Sequence, residues 1–188
     1  MIRFLGQAWL VIALSLVFGA ALAGMQALVA EKIVQNKLNE TLSQVPALVP
    51  GAESGKKAAM GGTTVYRALA GGKTIGWVVP AGGLGFGDRI EVLIGCDARG
   101  ERLTGLYVLD QKETPGLGNK IADAPWLEQF VGKLTSAPLA IVKRQAAADS
   151  PEISSVTGAT ISSVAVCDIV NAALTADLRA QLAAAAGE

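Results

Sequence analysis

The sequence of 188 residues contains no histidine. That absence removes Ser-His-Asp and Cys-His nucleophilic catalysis, histidine-ligated haem and mixed His/Cys zinc sites. Cysteine is scarce too: Cys96 and Cys167 are the only two, so neither a Cys-x-x-Cys metal site nor c-type haem attachment is available. Isolated cysteines on apolar elements are expected as buried thiols rather than as a disulfide. No sign of charge dominates, since Lys plus Arg and Asp plus Glu each number 16, and nothing draws the chain in bulk to nucleic acid or acidic lipid. Aromatic residues make up only 5%. Trp77, Trp126 and Tyr107 are expected in the core rather than in a site.

What the chain does have is apolar residues, 51% of the total, concentrated at the N-terminus. From Phe4 to Ala30 there is no charge, and about 20 such residues span a bilayer core as a helix. A secretory signal cleaved after Ala21-Leu22-Ala23 is the competing reading, but the apolar run continues past Gly24. The segment 1–30 is therefore expected to be a retained anchor. With only Arg3 and the α-amino group before the span, its N-terminus is expected in the cytoplasm and the rest on the outer, periplasmic face of a bacterial inner membrane.

Residues 31–62 read as stalk and linker. Ile33, Val34, Lys37, Leu38 and Leu42 have near-helical spacing, Pro46 and Pro50 are expected to end the helix, and Val49 to Gly62 reads as a loop. Residues 63–188 read as the domain proper, of the α+β class. Strands are expected at Thr63 to Leu69, Thr74 to Val79, Asp88 to Gly95 and Leu103 to Leu109, with turns at Gly71-Gly72 and around Gly100, which implies an antiparallel sheet. A short helix around Trp126 to Leu134, a strand at Leu139 to Lys143 and one long helix from Ser162 to Ala186 complete the expectation.

Two stretches carry chemistry. Ser154 to Ser163 reads Ser-Ser-Val-Thr-Gly-Ala-Thr-Ile-Ser-Ser and opens the final helix. A glycine turn at a helix entrance offers backbone N–H groups and the positive end of the helix dipole, which suits a phosphate. Thr160 falls at or near the N-cap. Threonine is also a favoured structural cap, worth about 1 kcal/mol, so the motif alone fits either role. The second stretch, Lys112-Glu113-Thr114-Pro115-Gly116-Leu117-Gly118-Asn119-Lys120, follows a strand. Pro-Gly makes an ordinary turn, or else Gly116 and Gly118 let the backbone approach a flat ligand that Leu117 covers and Thr114 hydrogen-bonds.

Taken together, these stretches resemble the FMN-binding domain of the membrane-anchored G-type subunit of Rnf-type electron transport complexes, over roughly Thr63 to Leu182. That family has an N-terminal membrane helix, a Glu-Thr-Pro-Gly-Leu-Gly segment matched by Glu113 to Gly118, and a Ser/Thr-Gly-Ala-Thr segment matched by Thr157 to Thr160. The resemblance implies that a flavin transferase esterifies the FMN phosphate to Thr160. It also implies cofactor-binding roles for Thr157, Gly158, Ala159, Ile161, Ser163, Glu113, Thr114, Pro115, Gly116, Leu117 and Gly118. The family's transferase motif commonly has Asp where this chain has Ser154, with Glu152 nearby. The implied function is an electron-carrier subunit working with other membrane and iron-sulfur subunits to couple ferredoxin:NAD oxidoreduction to ion transport. The C-type subunit of sodium-pumping NADH:quinone reductases, usually longer, and a membrane-anchored FMN-binding module without redox turnover are the alternatives.

Overall fold

The computed structural model describes residues 2–186, with side chains described from residue 8 to residue 186. It divides into one unit ending at Glu40 and a second beginning at Thr41. The first unit is part of a single helix, α1 (Ile2–Leu48). From Ala8 onward this helix is long and apolar enough to cross a membrane, and Leu16, Phe18, Leu22 and Leu28 stand exposed along it. Exposed leucine and phenylalanine on the charge-free stretch from Phe4 to Ala30 suit a hydrocarbon surrounding.

The last two turns of α1, about eight residues from Thr41, belong to the second unit, and they correct one expectation: Pro46 lies inside the helix instead of ending it. A proline this close to a C-terminus sacrifices one backbone hydrogen bond, and packing outweighs that loss. Val45, Leu48 and Val49 are buried, and the Thr104 hydroxyl donates to the Leu48 carbonyl at 2.6 Å. Gly95 and Gly105, paired across two strands, leave the room, since a Cβ on Gly95 would sit 2.6 Å from the Leu48 oxygen.

The sheet is a five-stranded antiparallel meander in the order β1 (Ser54–Met60), β2 (Thr63–Ala70), β3 (Lys73–Leu84), β4 (Arg89–Asp97), β5 (Leu103–Asp110). The stretch 49–62, read as a loop, thus contains an edge strand. Its Ser-Gly-Lys-Lys-Ala-Ala-Met sequence has no apolar alternation, but it pairs with β2 along its whole length. The readable signal was the turn: Gly61 and Gly62 have φ of 55° and 79°, as a two-residue hairpin requires. β3 also runs past its expected end at Val79. Beyond Val78 it pairs with β4 alone, so Pro80, which has no N–H to give, sits on a free edge.

On one face of β4, Ile90, Val92, Ile94 and Cys96 are buried and join a core completed by Val166, Cys167, Ile169 and Val170 of helix α3 (Thr160–Ala173). Between β5 and α3 the chain forms α2 (Ala124–Leu127) and a 3-10 turn ending at Phe130, shorter than expected. Gly132 (φ 80°) ends it, and the following residues hydrogen-bond the start of β5. The short β6 (Ala140–Val142) pairs in parallel with β7 (Glu152–Ser154), a strand with too few residues to show a pattern in the sequence.

The C-terminal helical stretch is two helices rather than one long one. α3 and α4 (Ala176–Ala185) are bent by 57°. Thr175 causes the break by capping α4, its hydroxyl accepting from the Leu178 amide at 3.2 Å. Trp77 and Trp126 are core residues, as expected, donating their ring N–H groups to the carbonyls of Ala98 (3.0 Å) and Ser154 (2.8 Å).

Candidate functional site

The Thr157–Thr160 segment enters α3 through a turn set by Gly158, whose φ of 84° belongs to the left-handed region. Ser163 holds that turn from inside. Its buried hydroxyl accepts from the Val156 amide at 3.0 Å and donates to the Ala159 carbonyl at 2.9 Å. Ser163 therefore shapes the segment and does not line the cavity described below. The helix begins at Thr160, with Ala159 as a cap residue that makes no side-chain bond. Thr160 thus lies next to the N-cap, as expected, but is not the cap itself, which removes the structural-cap explanation: its hydroxyl has no partner among the described residues, and the side chain is half-buried.

The amides of Thr160, Ile161 and Ser162 are the first-turn donors that an α-helix leaves unpaired, and no acceptor for them exists among the described residues. The Ala159 amide, expected as a further anion donor, is taken by the Val156 carbonyl at 3.0 Å.

The second stretch folds as a turn in which the Thr114 carbonyl accepts from the Leu117 amide at 3.2 Å, with Gly116 at φ 77°. Pro115 and Gly116 make the turn, and Leu117 is thrown outward, 46% exposed. The two stretches meet at Leu117 and Gly158, where a Cβ on the glycine would lie 2.9 Å from the leucine Cδ2.

Between them opens a cavity of about 400 Å³ lined by Thr114, Leu117, Gly118, Gly158, Ala159, Thr160, Ile161, Ser162 and Phe86. Of the residues singled out in the sequence, Thr114, Leu117, Gly118, Gly158, Ala159, Thr160 and Ile161 come together here. Thr157, Pro115, Gly116, Glu113 and Ser163 are outside the lining.

Two lining residues escaped the sequence reading. Phe86 tips the β3–β4 hairpin and is 64% exposed; an aromatic between two glycines, in a turn too tight for a core, was the available signal. Ser162 was hidden because its partner, Glu113, lies 49 residues away.

Glu113 is the hub behind this wall. It is 4% exposed, and one carboxylate oxygen accepts from the Gly87 amide at 2.9 Å while the other accepts from the Ser162 hydroxyl. Gly85 and Gly118 clear its path, a Cβ on Gly118 falling 2.8 Å from the Glu113 Cβ. Nearby, Asp88 and Lys112 pair at 3.3 Å on the surface. The Arg89 amide, and then Lys112, hold the Asp88 carboxyl below its usual range.

Ser154, where the transferase motif commonly has Asp, is engaged within the fold: its hydroxyl accepts from the Ala146 amide at 2.9 Å. Glu152 is paired with Arg144 at 2.6 Å. Both cysteines are free and buried. Burial, with Asp97 beside Cys96 and Asp168 beside Cys167, pushes each thiol up to about 12.

Unpaired helix N-terminal amides, an unpartnered hydroxyl among them, and a part-apolar cavity with two glycines where a Cβ would crowd its neighbours fit a phosphate carrying a flat ring. Residues 85–175 match the FMN-binding domain family, so the fold and the site define an FMN-binding domain. Over 163 residues the chain is 35% identical to the G-type subunit of the ion-translocating oxidoreductase complex of Escherichia coli, covering 83% of this chain and 73% of that one. The chain belongs to that family of G-type subunits.

It is also 39% identical over 108 residues to the G-type subunit of the Na(+)-translocating ferredoxin:NAD(+) oxidoreductase complex of Acetobacterium woodii, covering 57% of this chain. It spans about half, 51%, of that relative's length. Among solved structures, Shewanella oneidensis NqrC shares the fold, with a TM-score of 0.60 at 24% identity over 65% of this chain and 61% of that one.

Proposed function

We propose that this protein is the electron-carrier subunit of a membrane-bound complex that couples ferredoxin:NAD oxidoreduction to ion transport, with FMN esterified through its phosphate to Thr160. The observation that carries the attachment is the Thr160 hydroxyl, unpartnered and half-buried at the first position of α3 beside unpaired amides. FMN, when bound, supplies one- and two-electron chemistry, and the chain tunes it through contacts and charge. Thr160, Ile161 and Ser162 hold the phosphate by their amides, a helix-terminus effect of about 0.3–1 kcal/mol when exposed. Leu117 and Phe86 supply apolar surface to the ring, and Thr114 a hydroxyl at the cavity mouth.

A covalent link suits a cofactor on the outer face of a membrane, where a micromolar complex, about −8 kcal/mol, loses its ligand to an empty surrounding. In this reading α1 is the anchor in the bacterial cytoplasmic membrane and the domain stands on the periplasmic side. A flavin transferase loads it, and the other membrane and iron-sulfur subunits are its redox partners. The identity to the G-type subunit of Escherichia coli along 83% of the chain supports this reading over the C-type alternative.

The test is intact mass and in-gel flavin fluorescence of the protein expressed with its flavin transferase, beside Thr160→Ala. A gain of one FMN less one water, lost in the variant, is the expected result. An unmodified wild type overturns covalent attachment.

A further inference from the structure

Glu113 combines features that a turn-forming residue does not need. It is buried, both of its oxygens accept hydrogen bonds, and among the described residues no cation pairs with it, because the adjacent Lys112 turns to Asp88. Two acceptors and no donor is the pattern of an ionised carboxylate. Burying such a charge is costly unless it is well hydrogen-bonded, and here the hydrogen bonds come from separate segments: the hairpin carrying Phe86, through the Gly87 amide, and the first turn of α3, through the Ser162 hydroxyl. Ser162 itself lines the cavity. The charge therefore stands one hydrogen bond behind the cavity wall.

We propose that Glu113 is a positioning residue with an electrostatic output: it clamps the Gly85–Gly87 turn and α3 around the FMN cavity, and its negative charge holds the flavin's reduction potential low. The inference rests on the FMN reading above. The mechanical part follows from geometry. With the carboxylate in place, Phe86, Leu117 and Thr160 are walls of one cavity held through one group. The electrostatic part follows from Coulomb's law, since a fixed negative charge close to a cofactor disfavours added electrons, most strongly where water is excluded. Ser162 moderates the effect, because its O–H donates into the carboxylate and offsets part of the charge.

Glu113→Gln separates the consequences. The amide keeps the shape but has one acceptor oxygen in place of two, and no charge. In full-length protein expressed without the transferase, the Gly87 amide of Glu113→Met, which offers no acceptor where the carboxylate stood, is expected to exchange its hydrogen about tenfold faster or more than in wild type, the equivalent of losing a hydrogen bond to a charged group. In protein loaded with FMN, the midpoint potential is expected to rise in Glu113→Gln and to fall in Ser162→Ala, which leaves the charge but removes its moderating donor.

Unchanged Gly87 exchange overturns the clamp. Potentials that move in the same direction in both variants, as general loosening of the site produces, overturn the electrostatic role. If Glu113→Gln does not fold, Ser162→Ala alone decides the electrostatic role, a rise in potential being the contrary outcome. The exchange experiment needs no flavin, so failure of the FMN attachment reading leaves it standing and the two are told apart.

Discussion

The Cδ2 atom of Leu117 lies 2.9 Å from where a Cβ on Gly158 would stand. These residues belong to different stretches, the turn after β5 and the entrance to α3, and each has a shape that only the other explains. Gly158 has φ 84° and leaves the space; Leu117 fills it and remains 46% exposed. The site is thus a joint between two loops rather than a property of either.

Gly158→Ala loads that joint twice. The left-handed backbone costs about 1–2 kcal/mol for a residue with a Cβ, and the new methyl meets Leu117. Urea denaturation is expected to show a loss of about 2–3 kcal/mol. Adding Leu117→Ala should restore the steric part while leaving the backbone part, so the double variant recovers incompletely. Full recovery would show that backbone conformation contributes nothing.

Lys133 holds the connection between β6 and β7. It is 8% exposed and its ammonium gives its hydrogens to the carbonyls of Ala147 (3.2 Å), Ala148 (3.0 Å) and Ser150 (2.7 Å). Lys133→Met keeps the stem and strips those carbonyls of their donor, which predicts a loss of about 3 kcal/mol. Limited proteolysis is expected to cut first within residues 144–150, and mass spectrometry of the fragments checks the position.

The cysteines make stability depend on alkaline pH. Each thiol has an ordinary value of 9.0 in the unfolded chain and about 12 in the folded one. Between these values the unfolded chain releases protons that the folded chain keeps, so stability is complete below pH 9 and falls as pH rises toward 12. The urea midpoint of wild type is expected to drop more steeply between pH 9 and pH 11 than that of Cys96→Ala/Cys167→Ala; parallel curves would contradict the burial argument. At pH 8 neither thiol of the native protein should react with a thiol reagent.

How far the sequence could be read depended on how local each signal was. β4 carries Ile90, Val92, Leu93 and Ile94, all buried, in a nearly continuous apolar run, and its apolar character was plain. β1 has no such run, and its strand state comes from pairing with β2, a tertiary fact that only the Gly61-Gly62 turn announced. The apolar spacing continues from Val170 through Leu174 to Leu178 and hid the bend, although Thr175 followed by Ala-Asp-Leu is a helix start. In the site, Thr114, Leu117 and Thr160 were legible only through the resemblance carried by the two stretches together, because a glycine turn beside a hydroxyl serves equally as an ordinary turn or a helix cap. Glu113 was singled out for contact with the cofactor but lies behind the lining, since its work depends on a hydroxyl 49 residues distant.

Thr160 occupies the first helical position of α3, directly after the buried cap residue Ala159. Its side chain has a single rotatable bond between the helix and the oxygen, and the helix is bolted to the sheet by Val166, Cys167, Ile169 and Val170. Whatever hangs from that oxygen is leashed to a rigid mast. In the flavin ester proposed above, slack would therefore lie beyond that oxygen, in the cofactor's own chain, and not in the protein's attachment point.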